Sequence, residues 1–369
     1  MRPGWKKVRF VVITFWAMVC LQGCMDDDSL WQTQPPDIAV SGVFVINEGN
    51  FMYGNASLSF YDPAERRVVN DVFFNTNGLP LGDVALSMTQ HNGLGYIVIN
   101  NSGRIYVVDL ENFQLRGKIT GLTSPRYMHV LSDEKAYVSD LYAKAIAIVN
   151  PTTFEVTGSI EVNNPGSVFY QHPTEQMIQV GKYLYTNCWS FDHTLLVIDT
   201  ETDQWIETIE VLKQPQSMVL DRFDKLWVLT DGGFAGSPYG HEAPGLLRID
   251  AHSREIEQVF RFGLHDHPRS LSINGTGDTL YFINRHVYRH PVLSEALPQP
   301  VIESPYPANA AAGYRALGID PVSSEIYVGD AIDMVQPGIV YRFSPQTTPI
   351  DTFRVGIIPG SFAFRELMP

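Results

Sequence analysis

The sequence predicts an all-β chain: a seven-bladed β-propeller of four-stranded antiparallel blades, in which the C-terminal strand completes the first blade and closes the ring. Three observations predict it. Short runs alternate apolar and polar residues and are rich in β-branched and aromatic types. A block of about 40 to 50 residues recurs along the chain. The first block lacks an innermost strand, and the last residues can supply it.

The N-terminus precedes the repeats as a separate unit. Residues 1–23 place Lys6, Lys7 and Arg9 ahead of an apolar run from Val11 to Leu21, which is the pattern of a secretory signal and too short for a transmembrane helix. Leu21 to Cys24 (LQGC) resembles the lipobox of bacterial lipoproteins, so Cys24 is expected to be the lipidated residue of the mature chain. The acidic run Asp26, Asp27, Asp28 resembles the export signal that sends Bacteroidetes lipoproteins to the outer face of the outer membrane, and reads equally as a solvated tether. Residues 24–41 are thus a lipidated acidic tether, and residues 42–369 a single propeller domain anchored at the cell surface.

The clearest repeat runs from Ser124 to Ile160 and parses as four strands joined by turns. Related blocks begin at Gly82, Pro173, Pro215, Pro268 and Tyr314. One four-stranded sheet cannot bury both faces, so the blocks must stack around an axis. Tight-turn residues recur between third and fourth strands, as in Asn150-Pro151, Asp199 to Asp203 and Ser344-Pro345. The first block starts at a second strand, and PGSFAF (Pro359 to Phe364) matches the innermost strands PQSMVL and PRSLSI, which closes the ring. Asn163 to Gln171 reads as an insertion or as an alternative innermost strand, leaving six and eight blades as other counts.

Loops leading into the innermost strands, and loops joining second and third strands, gather on one face of a propeller. The longest is GGFAGSPYGHEAPG, Gly232 to Gly245. These loops supply the candidate ligand-binding residues: Phe51, Tyr53, Tyr142, Trp189, Phe191, Phe234, Tyr239, His241 and Met334 from the second-to-third connections, and Arg126, Tyr127, Arg269, Tyr314 and Arg315 from the others. Aromatic rings with a few guanidinium groups suit a large, partly planar or anionic ligand. Each aromatic also reads as inter-blade packing, and Arg126 and Arg269 read equally as inter-blade salt-bridge partners.

Composition narrows the function. The net charge of −14 becomes −18 once residues 1–23, with four basic and no acidic residues, are removed. Such a surface repels phosphate backbones and excludes nucleic-acid binding. Cys188 is left alone, with no disulfide framework, and reads as a small buried hydrophobe rather than a nucleophile. The pair His265 and His267 is too short a fragment to define a metal site. The sequence carries no recognisable hydrolase triad, P-loop or dinucleotide fingerprint, and no cofactor or catalytic residue is assigned.

FVINEGN (Phe44 to Asn50), KLWVLTDGG (Lys225 to Gly233) and GSPYGHEAPGLLRID (Gly236 to Asp250) carry a family resemblance. On these residues the chain resembles the YncE-like propeller surface lipoproteins of the Bacteroidetes, the DUF5074 or BtuG-like cobalamin-capturing group. The resemblance implies a binding protein rather than an enzyme. Such a protein would capture a scarce corrinoid-like or other metal-chelate ligand, pass it to a TonB-dependent outer-membrane transporter, and touch the membrane through its lipid alone. Two other readings stay open: an adhesion or scaffold propeller that binds protein or glycan, and a lactonase-like propeller hydrolase.

Overall fold

The computed structural model describes residues 41–167, 169–307 and 313–365. The expected signal segment, Cys24 and the tether up to residue 40 lie outside the described residues. Among the described residues 28 strands, numbered in chain order, form seven four-stranded antiparallel sheets. The innermost strands are β4 (Ala85–His91), β8 (Pro125–Ser132), β12 (Thr174–Val180), β16 (Pro215–Leu220), β20 (Arg269–Ile273), β24 (Tyr314–Ile319) and β28 (Pro359–Phe364).

The ring closes with the C-terminal strand that the sequence predicts. Strand β28 pairs antiparallel with β1 (Val43–Asn47), Phe362 opposite Val45 and Phe364 opposite Val43, so the chain's two ends share blade 1. Asn163 and Gln171 meet in an isolated bridge outside the blades, which makes their segment an insertion and fixes the count at seven.

Seven apolar clusters hold the ring, one in each seam between neighbouring blades. The second strand of a blade is buried on both faces because its sheet packs between two others. Tyr183–Cys188 (β13) and Lys225–Thr230 (β17), for example, each expose little beyond their first residue. Periodicity did not anticipate one element, the short helix α1 (Val72–Asn77), which turns Val72 and Phe73 into the seam between blades 1 and 2.

The seam between blades 5 and 6 is built on Trp227, whose Nε1 donates to Asp221 Oδ2 at 2.8 Å. His290 packs edge-on in the same seam, its ring 4.7 Å from that of Phe260 and 5.4 Å from that of Trp227. Burial, reinforced by the Arg248 charge, holds its pKa down at about 4 against an ordinary 6.5. The folded seam therefore disfavours the imidazolium that the unfolded chain takes up as pH falls below 6.5. Thermal unfolding should be flat in this respect above pH 6.5 and should fall progressively between pH 6.5 and about 4. His290→Leu should flatten that slope, and an unchanged slope in the variant would assign the acid sensitivity elsewhere.

Candidate functional site

Every innermost strand begins with an irregularity. The pairing of first and second strands slips between Ala85 and Ser87, Pro125 and Met128, Thr174 and Met177, Pro215 and Ser217, Arg269 and Ser272, and Tyr314 and Ala316. In blade 1 it slips opposite Pro359 and Ser361. A bulge puts two residues against one and re-aims a side chain. Here it aims seven residues from one position of the repeat, Leu86, Arg126, Glu175, Gln216, Arg269, Arg315 and Gly360, at a central cavity of about 960 Å³.

The residues beside the bulges stitch neighbouring blades together. Ser87 Oγ donates to Arg126 O at 2.7 Å, Ser270 Oγ to Arg315 O at 3.2 Å, and Ser361 Oγ to Leu86 O at 2.7 Å. Gln216 Oε1 accepts the Ser270 N–H at 3.0 Å, and Gln176 Oε1 accepts the Met218 N–H at 2.7 Å. These bonds commit Ser87, Ser270 and Ser361 to backbone carbonyls of the next blade.

The charges of the ring pair off incompletely. Arg126 Nε donates to both oxygens of Glu175 at 2.8 Å, across the seam between blades 3 and 4. Burial pushes the Glu175 carboxyl up, while Arg126 is held protonated by Glu175 against its own burial. Arg315 Nη2 reaches Glu48 Oε2 at 3.2 Å in blade 1. Glu48 occupies the ring position that Gly360 leaves open, since a Cβ on Gly360 would lie 2.4 Å from the Glu48 side chain. Among the described residues Arg269 alone of the three ring arginines has no ion-pair or hydrogen-bond partner. Burial and the neighbouring Arg315 lower its pKa. Asp231, whose charge acts on Arg269, already accepts from Trp189 Nε1 at 2.7 Å, Gln214 Nε2 at 3.0 Å and the Gly233 N–H at 2.8 Å. The lining thus sets three guanidinium groups against three carboxylates, Glu48, Glu175 and Asp231, but the third carboxylate is bonded to neutral donors and makes no hydrogen bond to Arg269.

Of the residues that the sequence reading named, Arg126, Tyr127, Trp189, Phe191, Phe234, Arg269 and Arg315 line the cavity. Trp189 is fixed by Asp231, and the Arg126 guanidinium lies 6.0 Å from the centre of its ring. Burial pushes the Tyr127 hydroxyl up to about 12, so it stays a neutral donor. Phe51, Tyr53, Tyr142, Tyr239, His241, Tyr314 and Met334 lie outside that lining. Phe51 and Tyr53 are exposed, and Met334 O accepts from Asn50 Nδ2 at 2.6 Å, tying the loops of blades 7 and 1 together. Tyr142 meets Phe169, which meets Phe191, so it reaches the cavity only through that row of rings. Tyr314 packs on Tyr341 in the seam between blades 6 and 7.

The long loop Gly232–Gly245 folds onto itself. Gly233 bridges His241, the Glu242 N–H donates to Gly232 O at 3.0 Å, and a Cβ on Gly232 would lie 2.1 Å from Glu242 O, which only a glycine with φ of 74° avoids. Tyr239 is held by the His193 ring and by Lys213, whose Nζ sits 4.3 Å from its ring centre. The loop therefore presents Gly233 and Phe234 to the cavity, with Tyr239 turned to His193 and Lys213 and the His241 ring turned to His265. Sequence reasoning missed Glu48, Glu175, Gln216 and Phe169. Glu175 and Gln216 carried a signal, their alignment with Arg126 and Arg269 in the repeat, whereas Glu48 follows β1, outside that alignment, and Phe169 sits in an insertion without a repeat to align it.

The domain of unknown function DUF5074 matches residues 41–350. The chain belongs to the DUF5074 family. No curated protein sequence matches it. Solved structures resemble this DUF5074 chain in fold. A quinonprotein alcohol dehydrogenase-like protein of Bacteroides thetaiotaomicron superposes with a TM-score of 0.66 at 14% identity, covering 88% of this chain and 78% of that one. The periplasmic gluconolactonase PpgL of Pseudomonas aeruginosa gives a TM-score of 0.65 at 11% identity over 89% of this chain and 100% of that one. The dihydro-heme d1 dehydrogenase NirN, in complex with DHE, gives 0.57 at 9% identity over 89% and 76%. At these identities the likeness establishes the propeller and leaves the activity to the site itself.

Proposed function

We propose that this DUF5074 propeller is a binding protein that holds an acidic, ring-bearing nutrient ligand, of the corrinoid or other metal-chelate class, in its axial cavity. The observation that carries this reading is Arg269: a cation half-removed from water with no ion-pair or hydrogen-bond partner among the described residues, in a cavity walled by Trp189, Phe191 and Phe234. An unpaired buried charge is costly, and a ligand carboxylate or phosphate removes that cost by forking onto the guanidinium. The aromatic rings supply flat apolar area beside it. The cavity volume, about 960 Å³, suits a ligand larger than a simple sugar acid. A rigid ring of seams and bulges loses little ordering entropy on binding.

The remainder of the proposal rests on the resemblance to surface lipoproteins. The chain is anchored by lipid on Cys24 at the outer face of the outer membrane and hands its ligand to a TonB-dependent transporter.

Calorimetric titration of the full-length protein against cobalamin, haem and ferric siderophores should give one-to-one binding to a member of this set. Arg269→Gln should weaken that binding, and Trp189→Ala should cost about 2 kcal/mol with little change in melting temperature. Absence of binding across the set, or equal affinity in both variants, contradicts the reading. Separately, Cys24→Ser should move the protein from the membrane fraction to the soluble one, and retention in the membrane would remove the anchor from the account.

A further inference from the structure

The segment that carries Trp189 and Phe191 into the cavity is rooted in a second cluster of chemically reactive side chains. Cys188 ends β13, Asp192 lies four residues on, and His172 precedes β12 (Thr174–Val180). A histidine nitrogen, Cys188 Sγ and a carboxylate oxygen of Asp192 all lie within 4.8 Å of one another, and all three residues are buried. His172 Nδ1 is 2.7 Å from Asp192 Oδ2.

Two features separate this cluster from an ordinary buried polar network. The first is charge. Asp192 is 2% exposed, and among the described residues no lysine or arginine pairs with it; its one ion-pair partner is His172. The second is orientation. Asp192 Oδ1 is fully engaged by the His193 N–H at 2.6 Å and the Thr194 hydroxyl at 2.8 Å, which leaves Oδ2 aimed at the histidine. Donors that hold one carboxylate oxygen and turn the other inward are the outer shell found around metal ligands. The Trp205 ring, edge-on at 5.2 Å from His172, closes the cluster on that side.

We propose that His172, Cys188 and Asp192 form a binding site for one divalent transition-metal ion of the zinc class. A thiolate, an imidazole and a carboxylate are zinc's donor types. On binding, the Cys188 thiol gives its proton to solvent and its sulfur forms a bond to the metal; with the Asp192 carboxylate, two negative charges then balance the dication, and the buried cluster becomes neutral. Ligands about 2.0–2.1 Å from one tetrahedral ion stand roughly 3.3 Å apart, so the His172–Asp192 hydrogen bond opens by about half an ångström and is replaced by two coordinate bonds. The ion joins both ends of the segment 188–192, which includes Phe191 at a φ of 58°, and so pins the loop that lines the ligand cavity. This site is independent of what the cavity binds.

The test is titration of the chelator-treated full-length protein with Co2+, followed by absorption, together with the metal content of protein purified from zinc-containing medium. The expected result is about one equivalent of metal, a thiolate-to-cobalt charge-transfer band, and a rise in melting temperature on loading. Cys188→Ser should abolish the band while retaining Cys20 and Cys24, and Asp192→Asn, which keeps the shape of the side chain, should weaken binding about tenfold or more. No band in the parent protein, or a band unchanged in whichever of the two variants folds, overturns the proposal and leaves His172 and Asp192 as a hydrogen-bonded pair.

Discussion

The structure depends on the way each innermost strand starts. A residue that opens the strand, proline in three of the seven blades, is followed by a bulge, and serine or glutamine side chains next to it bond the backbone of the neighbouring blade. Two demands are met at one place. The bulge interrupts the blade's own ladder, freeing backbone groups, and the side-chain bonds satisfy them across the seam. An apolar seam alone would hold the blades together without fixing their relative height, whereas a row of bonds at the axial end sets where each blade stands in the ring.

That constraint also builds the site. Because the bulge recurs at one position of the repeat, the same position of every blade faces the axis, and what stands there is free of packing duty. Leu86 and Gly360 leave it uncharged, Glu48 fills the gap at Gly360, and two of the three arginines find glutamates in an adjacent blade. The third, Arg269, is left without an ion-pair partner among the described residues. Trp189 is held in the same lining by Asp231, whose oxygens are taken up by other donors; that carboxylate acts on Arg269 through its charge but forms no ion pair with it. The proposed recognition of an anion beside an aromatic face follows from how the ring's charges pair rather than from any single motif.

Much of the fold was legible in the sequence because a propeller writes its geometry as a repeat. Alternation located the strands, recurring Pro-x-Ser segments marked the innermost ones, and the match of Pro359 to Phe364 to those segments identified the closing strand. The site was legible in part, for a physical reason. Arg126, Arg269 and Arg315 sit in the repeat and so can be placed on the axis, but whether a guanidinium is paired depends on contacts between residues as far apart as Glu48 and Arg315. Tyr239 and His241 share a loop with Phe234, and composition could not tell which side chains the loop would turn inward, since that is decided by its closure at Gly232 and Gly233. Cys188 read alone as an inert buried residue; its neighbours His172 and Asp192 become neighbours only when β12 and β13 pair.

The central claim, that one guanidinium without an ion-pair partner is the cavity's anion site, is tested most directly by anomalous diffraction from crystals of the protein grown with selenate, in parallel with crystals of Gln216→Glu. That substitution places a carboxylate at the ring position beside Arg269 without touching an arginine. The account predicts a selenium peak at Arg269 in the parent protein, none at the paired Arg126, and loss of the peak in the variant. A peak that persists in Gln216→Glu, or selenate distributed equally over the ring arginines, would contradict it.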